Sequence, residues 1–142
     1  MQRSPDELRV GLVTDVGSID DGTFNQDAHE GLMEAADQVD LHPTVIETES
    51  PDDYAANLRR VVEEGCNLVV TIGSRTGEQV ERLAVRHPDV HFVVVDYEPD
   101  EESKNVTGLI FAEDEAGYLA GALAGLVCES GHAGFVGGQD VP

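Results

Sequence analysis

Three features of the sequence predict a doubly wound, mainly parallel α/β sheet. Apolar runs of strand length recur along the chain, and amphipathic stretches of helix length separate them. Several runs, Leu68-Val69-Val70-Thr71-Ile72 and His91-Phe92-Val93-Val94-Val95-Asp96 most clearly, are apolar almost throughout instead of alternating. Continuous runs mark strands covered on both faces, and helix-length crossovers mark parallel neighbours.

Val10-Gly11-Leu12-Val13-Thr14 is the first strand, followed by a Gly/Asp loop from Asp15 to Gly22. A helix is predicted from Thr23, where Thr23 and Gln26 have capping-box spacing. Phe24, Ala28, Leu32, Ala35 and Val39 fall on one helical face, which is expected to cover the sheet. The second strand spans His42 to Thr48. Ser50-Pro51-Asp52-Asp53 then supplies an N-cap, a first-turn proline and acids matched to the helix dipole. The helix it opens carries Tyr54, Leu58, Val61 and Val62 and stops at Gly65, a favourable residue just past a helix end.

After the third strand, Leu68 to Ile72, Gly73 and Ser74 turn the chain into a helix bearing Val80, Leu83 and Ala84. The fourth strand is His91 to Asp96, the fifth Val106 to Phe111, and Glu113 to Glu129 the helix that follows. Gly134-Phe135-Val136 is predicted to begin a sixth strand. In the last helix Gly117, Gly121 and Gly125 leave one face without side chains, a face suited to close packing, most simply on the sheet. Its small apolar run, Ala116 to Cys128, is about 13 residues and falls short of the roughly 20 that span a bilayer.

Composition narrows the partners. The chain has 142 residues, 40% of them hydrophobic, enough for one compact domain with its own core. Its formal charge is −21, from 29 acidic against 8 basic residues, so nucleic acid and anionic membrane surfaces would repel it. The acids are spread over predicted loops and polar faces, as in Glu98-Pro99-Asp100-Glu101-Glu102, and the only lysine is Lys104. Such an acidic shell around a folded core is expected of a salt-loving source, where screening shortens to about 3 Å at 1 M salt. Cys66 and Cys128 lack the spacing of a metal site and read as free thiols. Met1 to Leu8 is polar, without the apolar centre of a secretory signal. That is expected of a cytoplasmic chain or of one whose signal has been removed.

Ligands of open α/β sheets bind beyond the carboxyl ends of the strands. Here those ends carry Asp15, Gly73-Ser74, Asp96 and Phe111. Asp15 and Asp96 are acceptors suited to vicinal hydroxyls or amino groups, and Phe24 or Phe111 can stack on a flat ring. Each acid reads equally as a helix or turn cap. Catalytic chemistry finds less support. A phospho-acceptor pocket like that of receiver domains needs an acid after the third strand and a lysine after the fifth, where this chain has Thr71-Ile72-Gly73 and Phe111-Ala112-Glu113. The loop from Asp15 to Gly22 matches no Gly-rich phosphate motif, and its three carboxylates would repel phosphate. The five histidines are scattered, and no metal, cofactor or catalytic set emerges.

The segment Gly11-Leu12-Val13-Thr14-Asp15-Val16-Gly17-Ser18-Ile19-Asp20-Asp21-Gly22-Thr23-Phe24-Asn25-Gln26, with Glu30-Gly31 after it, resembles the opening of the basic membrane protein family of solute-binding lipoproteins. Gly65-Cys66-Asn67, His91 to Asp96, Glu113 to Gly121 and Gly134 to Pro142 extend the resemblance along nearly the whole chain. It implies one lobe of a type I periplasmic-binding-protein-like fold. Residues 1–8 are then an N-terminal extension, 9–136 the N-terminal ligand-binding lobe, and 137–142 the start of a crossing to a second lobe. It further implies a binding protein and not an enzyme, which captures a nucleoside for an ABC transporter permease as an extracytoplasmic, membrane-anchored lipoprotein. Asp15 and Asn25 would be polar contacts to that nucleoside, Asn25 facing the base. Asp96 would face the ribose hydroxyls, and Phe24 would neighbour the base. By the residues alone, Asn25 also reads as a first-turn helix residue bonding its own backbone, and Phe24 reads equally as a core anchor. A cytoplasmic ligand-sensing regulatory domain of the same fold is the alternative. The resemblance leaves open whether the isolated lobe forms a dimer through surface that the second lobe would cover.

Overall fold

The first apolar run forms β1 (Leu8–Val16), which is hydrogen-bonded on both sides. In this computed structural model, which describes residues 7–137, β2 (Leu41–Thr48), β3 (Leu68–Thr71), β4 (His91–Val95) and β5 (Val106–Leu109) complete a sheet in the order β2-β1-β3-β4-β5. Every pairing is parallel. The doubly wound α/β prediction is therefore met, with strand ends one or two residues from those read in the sequence. The helices are α1 (Phe24–Gln38), α2 (Tyr54–Glu63), α3 (Gly77–Ala84) and α4 (Glu113–Val127). The chain divides into two compact units, Met1–Ile110 and Phe111–Pro142.

Within the first unit, β1 passes to β2 on one side and β2 returns across it to β3. Right-handed crossovers then put α1 on one face and α2 and α3 on the other. The main core lies under α2 and α3, where Leu58, Val61, Val80 and Leu83 meet Val13, Val69, Phe92 and Val94. Each such side chain, taken from water, contributes about 1.5–3 kcal/mol. Gly11 lies where α2 crosses β1 closest: a Cβ there would run into Val61 and the buried Cys66. The opposite face of β1 buries Val10, Leu12 and Thr14.

α2 begins as the sequence predicts. A 3-10 turn, Pro51–Asp53, precedes it, the Ser50 N–H donates to Asp53 Oδ2 at 3.0 Å, and Gly65 ends it with φ 90°. α1 departs from expectation at both ends. Thr23 makes no side-chain cap, because the charged Asp21 takes its place, accepting the N–H groups of Thr23 (2.7 Å) and Gln26 (3.3 Å). A carboxylate outcompetes a hydroxyl for these donors. The inward face of α1 buries Asn25 and half-buries Ala28, Leu32 and Ala35, while Phe24 and Val39 are exposed. Asn25 displaces Phe24 from the sheet because its amide is needed there.

In the second unit, α4 opens with Glu113, Asp114 and Glu115, which complement the positive end of the helix dipole. The predicted sixth strand at Gly134 to Val136 is irregular. Glycines at 131, 134 and 137 surround it, and no ladder partner is present among the described residues to hold it extended. The predicted crossing beyond Gly137 lies outside the described residues, as do residues 1–6 of the predicted extension, whose last residue, Leu8, instead starts β1.

Candidate functional site

Register sets the site. Val13, Thr71 and Val94 lie in one row across β1, β3 and β4, and Asp15, Gly73 and Asp96 each follow that row by two residues. The three positions thus follow one another along the carboxyl edge of the sheet. The chain leaves β1 toward β2 and β3 toward β4, in opposite directions, so a crevice opens between β1 and β3.

Asp15 is fixed from several sides. The Val16 N–H donates to its Oδ1 at 2.8 Å, and the hydroxyl of Tyr54, at the start of α2, donates to the same oxygen. Its other oxygen, Oδ2, accepts no hydrogen bond among the described residues and lies against Gly73. A Cβ there would sit 3.1 Å from it, and Gly73 also has φ 87°. A carboxylate oxygen therefore faces the β1/β3 crevice at a place only glycine leaves open.

Asn25 is 2% exposed and bonds the backbone of Asp15. Its Oδ1 accepts the Asp15 N–H at 3.0 Å and its Nδ2 donates to the Asp15 carbonyl at 3.4 Å. This ties α1 to the end of β1 and leaves one Nδ2 proton. Phe24, one residue earlier, is 64% exposed at the first turn of α1. Asp96 has φ 59°, the only non-glycine residue among those described in the left-handed region, and its N–H donates to the Leu109 carbonyl at 2.9 Å. Phe111 belongs to the second unit.

The loop between β1 and α1 is also anchored. The buried Thr14 hydroxyl accepts the Thr48 N–H at 2.9 Å, the Gly17 N–H donates to the Thr48 carbonyl at 3.0 Å, and the Ile19 N–H donates to Glu47 Oε1 at 2.8 Å. The Ile19 bond holds the Glu47 carboxyl below its usual range, and the Thr23 N–H does the same for Asp21. Both stabilise the loop above the ordinary carboxyl range, and the benefit is lost as pH falls through the lowered values.

Tyr54 is the residue that sequence reasoning placed in the core without its polar partner. Only its full burial hinted that the hydroxyl needed one. Burial first, and Asp15 second, push its pKa up to about 12. Because the folded value lies above the unfolded one near 10, this stabilisation is full below about pH 10 and is lost as pH rises toward 12. In an alkaline titration followed by tyrosinate absorbance, Tyr54→Phe is expected to remove a late step near pH 12. Loss of an ordinary step near pH 10 instead would mean that the Tyr54–Asp15 bond is not formed.

Known proteins fit this geometry. Residues 8–142 match the Bmp family model, described as ABC transporter substrate-binding protein PnrA-like. The ABC transporter nucleoside-binding protein BmpA of Lactococcus lactis is 32% identical over 94% of the chain and 39% of its own length. A solute-binding protein of an ABC transporter system from Aeropyrum pernix superposes with a TM-score of 0.75 at 27% identity, over 82% of the chain and 32% of that protein. A transcriptional activator of the comK gene from Bacillus halodurans superposes at 0.67 with 29% identity, over 86% of the chain and 41% of that protein. The chain spans about two-fifths of the length of the curated relatives it matches. With a parallel sheet, a crevice at its switch point and a family match over almost every residue, the chain belongs to the Bmp family of PnrA-like, ABC transporter substrate-binding proteins.

Proposed function

We propose that the longer protein to which this chain corresponds binds a nucleoside, most simply a purine nucleoside, between this lobe and a second one. It delivers that nucleoside to an ABC permease from outside the cytoplasm, as an anchored lipoprotein. The observation that carries the reading is the Asp15 carboxylate, held through one oxygen by Tyr54 and Val16 with the other turned to the β1/β3 crevice. Nucleosides present hydroxyl and amino donors to such acceptors. The nucleoside class is supported by the Lactococcus relative's name.

In this reading Asp15 takes a donor of the ligand and Asn25 offers its remaining Nδ2 proton to the base. Asp96 accepts from the ribose hydroxyls, and the exposed Phe24 lies beside the base. The left-handed backbone at Asp96 supports a role there, since such conformations cost on the order of 1–3 kcal/mol and cluster at ligand sites. Capture without chemistry requires closure of two lobes over the ligand. Calorimetric titration of the longer protein with a panel of nucleosides and free bases is expected to give tight binding of a ribonucleoside and weaker binding of its base. Absence of binding by every nucleoside would sink the proposal.

The Bacillus halodurans activator supports a second reading, a ligand-sensing regulatory domain of the same fold. The coding sequence upstream separates the two: a secretory signal ending in a lipid-acceptor cysteine supports import, and a DNA-binding domain supports regulation.

A further inference from the structure

Tyr97 sits on the side of the sheet where strand alternation does not put it. Phe92 and Val94 of β4 face the core under α2 and α3, and successive side chains of a strand point to opposite faces. Counting on from Val94, Asp96 falls on the core side and Tyr97 on the other, yet Tyr97 packs against that same core. The change of phase occurs at Asp96, whose φ of 59° turns the chain left-handed. Two glycines make room for the ring and its backbone. At Gly77, the first residue of α3, a Cβ would overlap the Tyr97 ring, and at Gly108 in β5 a Cβ would overlap the Tyr97 carbonyl and Pro99. Glycine inside a helix or a strand weakens that element, so its presence in both marks a close approach. The far end of Tyr97 is tied as well. Its hydroxyl bonds Glu81 of α3, whose Oε1 also accepts the Asp100 N–H at 2.7 Å and the Ser103 hydroxyl at 3.2 Å. Burial first, and Glu81 second, hold the Tyr97 pKa above its ordinary value. Asp96 is thus followed directly by a residue clamped between α3 and β5, while its own N–H donates to Leu109 of β5 at 2.9 Å.

We propose that Tyr97 is a positioning residue for the ligand site: its clamped ring fixes the left-handed turn at Asp96, and so the place of the Asp96 carboxylate at the carboxyl edge. This role depends on Asp96 accepting from ribose hydroxyls, as proposed above. A non-glycine residue keeps a left-handed backbone only where its surroundings over-determine it. Without the ring the turn relaxes toward extended backbone and carries the carboxylate from its place. Hydrogen bonds weaken steeply with distance and angle, so such a shift is read directly in affinity.

Calorimetric titration of the longer protein with adenosine, guanosine and inosine, each beside its free base, tests this role. Tyr97→Leu is expected to lose about tenfold in affinity for the bound ribonucleoside, as the loss of one charge-assisted bond implies, and to keep its affinity for the base. Tyr97→Phe retains the ring and is expected to bind both as wild type does. In an Asp96→Asn background Tyr97→Leu is expected to cost clearly less, because residues that act through one contact are not additive. Val94→Ala, in the same core, is the control for lost packing: it is expected to lower the melting temperature without changing the ratio of the two affinities. If Tyr97→Leu does not fold, Gly77→Ala, which pushes the ring from the α3 side, replaces it with the same selective loss expected. Ribonucleoside and base affinities that fall together in Tyr97→Leu, or an undiminished loss in the Asp96→Asn background, would overturn the proposal. So would unchanged ribonucleoside binding in Tyr97→Leu where Asp96→Asn weakens it, and the role of Asp96 would then stand alone. If Asp96→Asn leaves ribonucleoside binding unchanged, or the wild type binds none of the three, the roles of Asp96 and Tyr97 fall together.

Discussion

Asp96→Asn in the longer protein is expected to weaken ribonucleoside binding by about tenfold while leaving the fold intact. A hydrogen bond to a charged acceptor is worth about 1.5–3 kcal/mol against about 0.5–1.5 kcal/mol for a neutral one, so losing the charge while the amide oxygen still accepts costs about 1–1.5 kcal/mol, about tenfold in affinity. Asparagine is the informative replacement because the backbone at Asp96 has φ 59°, a conformation that Asn and Asp tolerate better than other side chains. Alanine there would mix a lost contact with backbone strain. The free base has no ribose hydroxyls, so its weaker binding should hardly respond to the same change. A purely structural Asp96 predicts a different pattern, in which melting temperature falls and both ligands lose affinity together. Equal ribonucleoside affinities for wild type and Asp96→Asn would remove Asp96 from the site.

Salt is expected to move stability by a comparable amount. At a formal charge of −21 the compact state repels itself, and unfolding relieves that repulsion by spreading the charges apart. Raising ionic strength from 0.1 M to 1 M shortens the screening length from about 10 Å to about 3 Å. Of the ion pairs among the described residues, those of Arg60 with Glu64 and Arg82 with Glu78 are exposed helix pairs worth about 0.3–0.5 kcal/mol each, and Glu7 pairs with Arg9 and His42 at the start of the sheet. Repulsion therefore dominates the balance. If screening returns about 2–3 kcal/mol, the melting temperature of a domain this size rises by roughly 5–15 °C. A melting temperature that stays flat or falls between dilute and molar potassium chloride would refute the salt-loving reading.

The strands were legible because their signal is local. Leu68 to Thr71 and His91 to Val95 are runs that only a sheet covered on both faces requires, and Gly65 marks the end of α2 by its own backbone freedom. Asp15, Gly73 and Asp96 could be placed at one sheet edge for the same reason, since each closes a readable strand. What the sequence hid is pairwise and distant. Tyr54 reaches Asp15 from 39 positions away, and Asn25 turns inward to the Asp15 backbone, so that Phe24, which apolar periodicity assigns to the sheet, is left outside. The cap of α1 was misread because Thr23 has the right spacing while Asp21 has the stronger acceptor. Gly134 to Val136 has the composition of a strand without a neighbour to make it one.

The two acids of the site hang from unequal parts of the sheet. Asp15 lies one residue before the end of a nine-residue strand paired on both sides, while the Asp96 N–H is bonded to β5, a four-residue margin. Changes around Asp15 disturb the element on which the whole unit is assembled, so few can survive. β5 is paired on one side only, so changes along it meet fewer strands. A substitution beside Asp15 is therefore expected to disturb more of the sheet than one along β5.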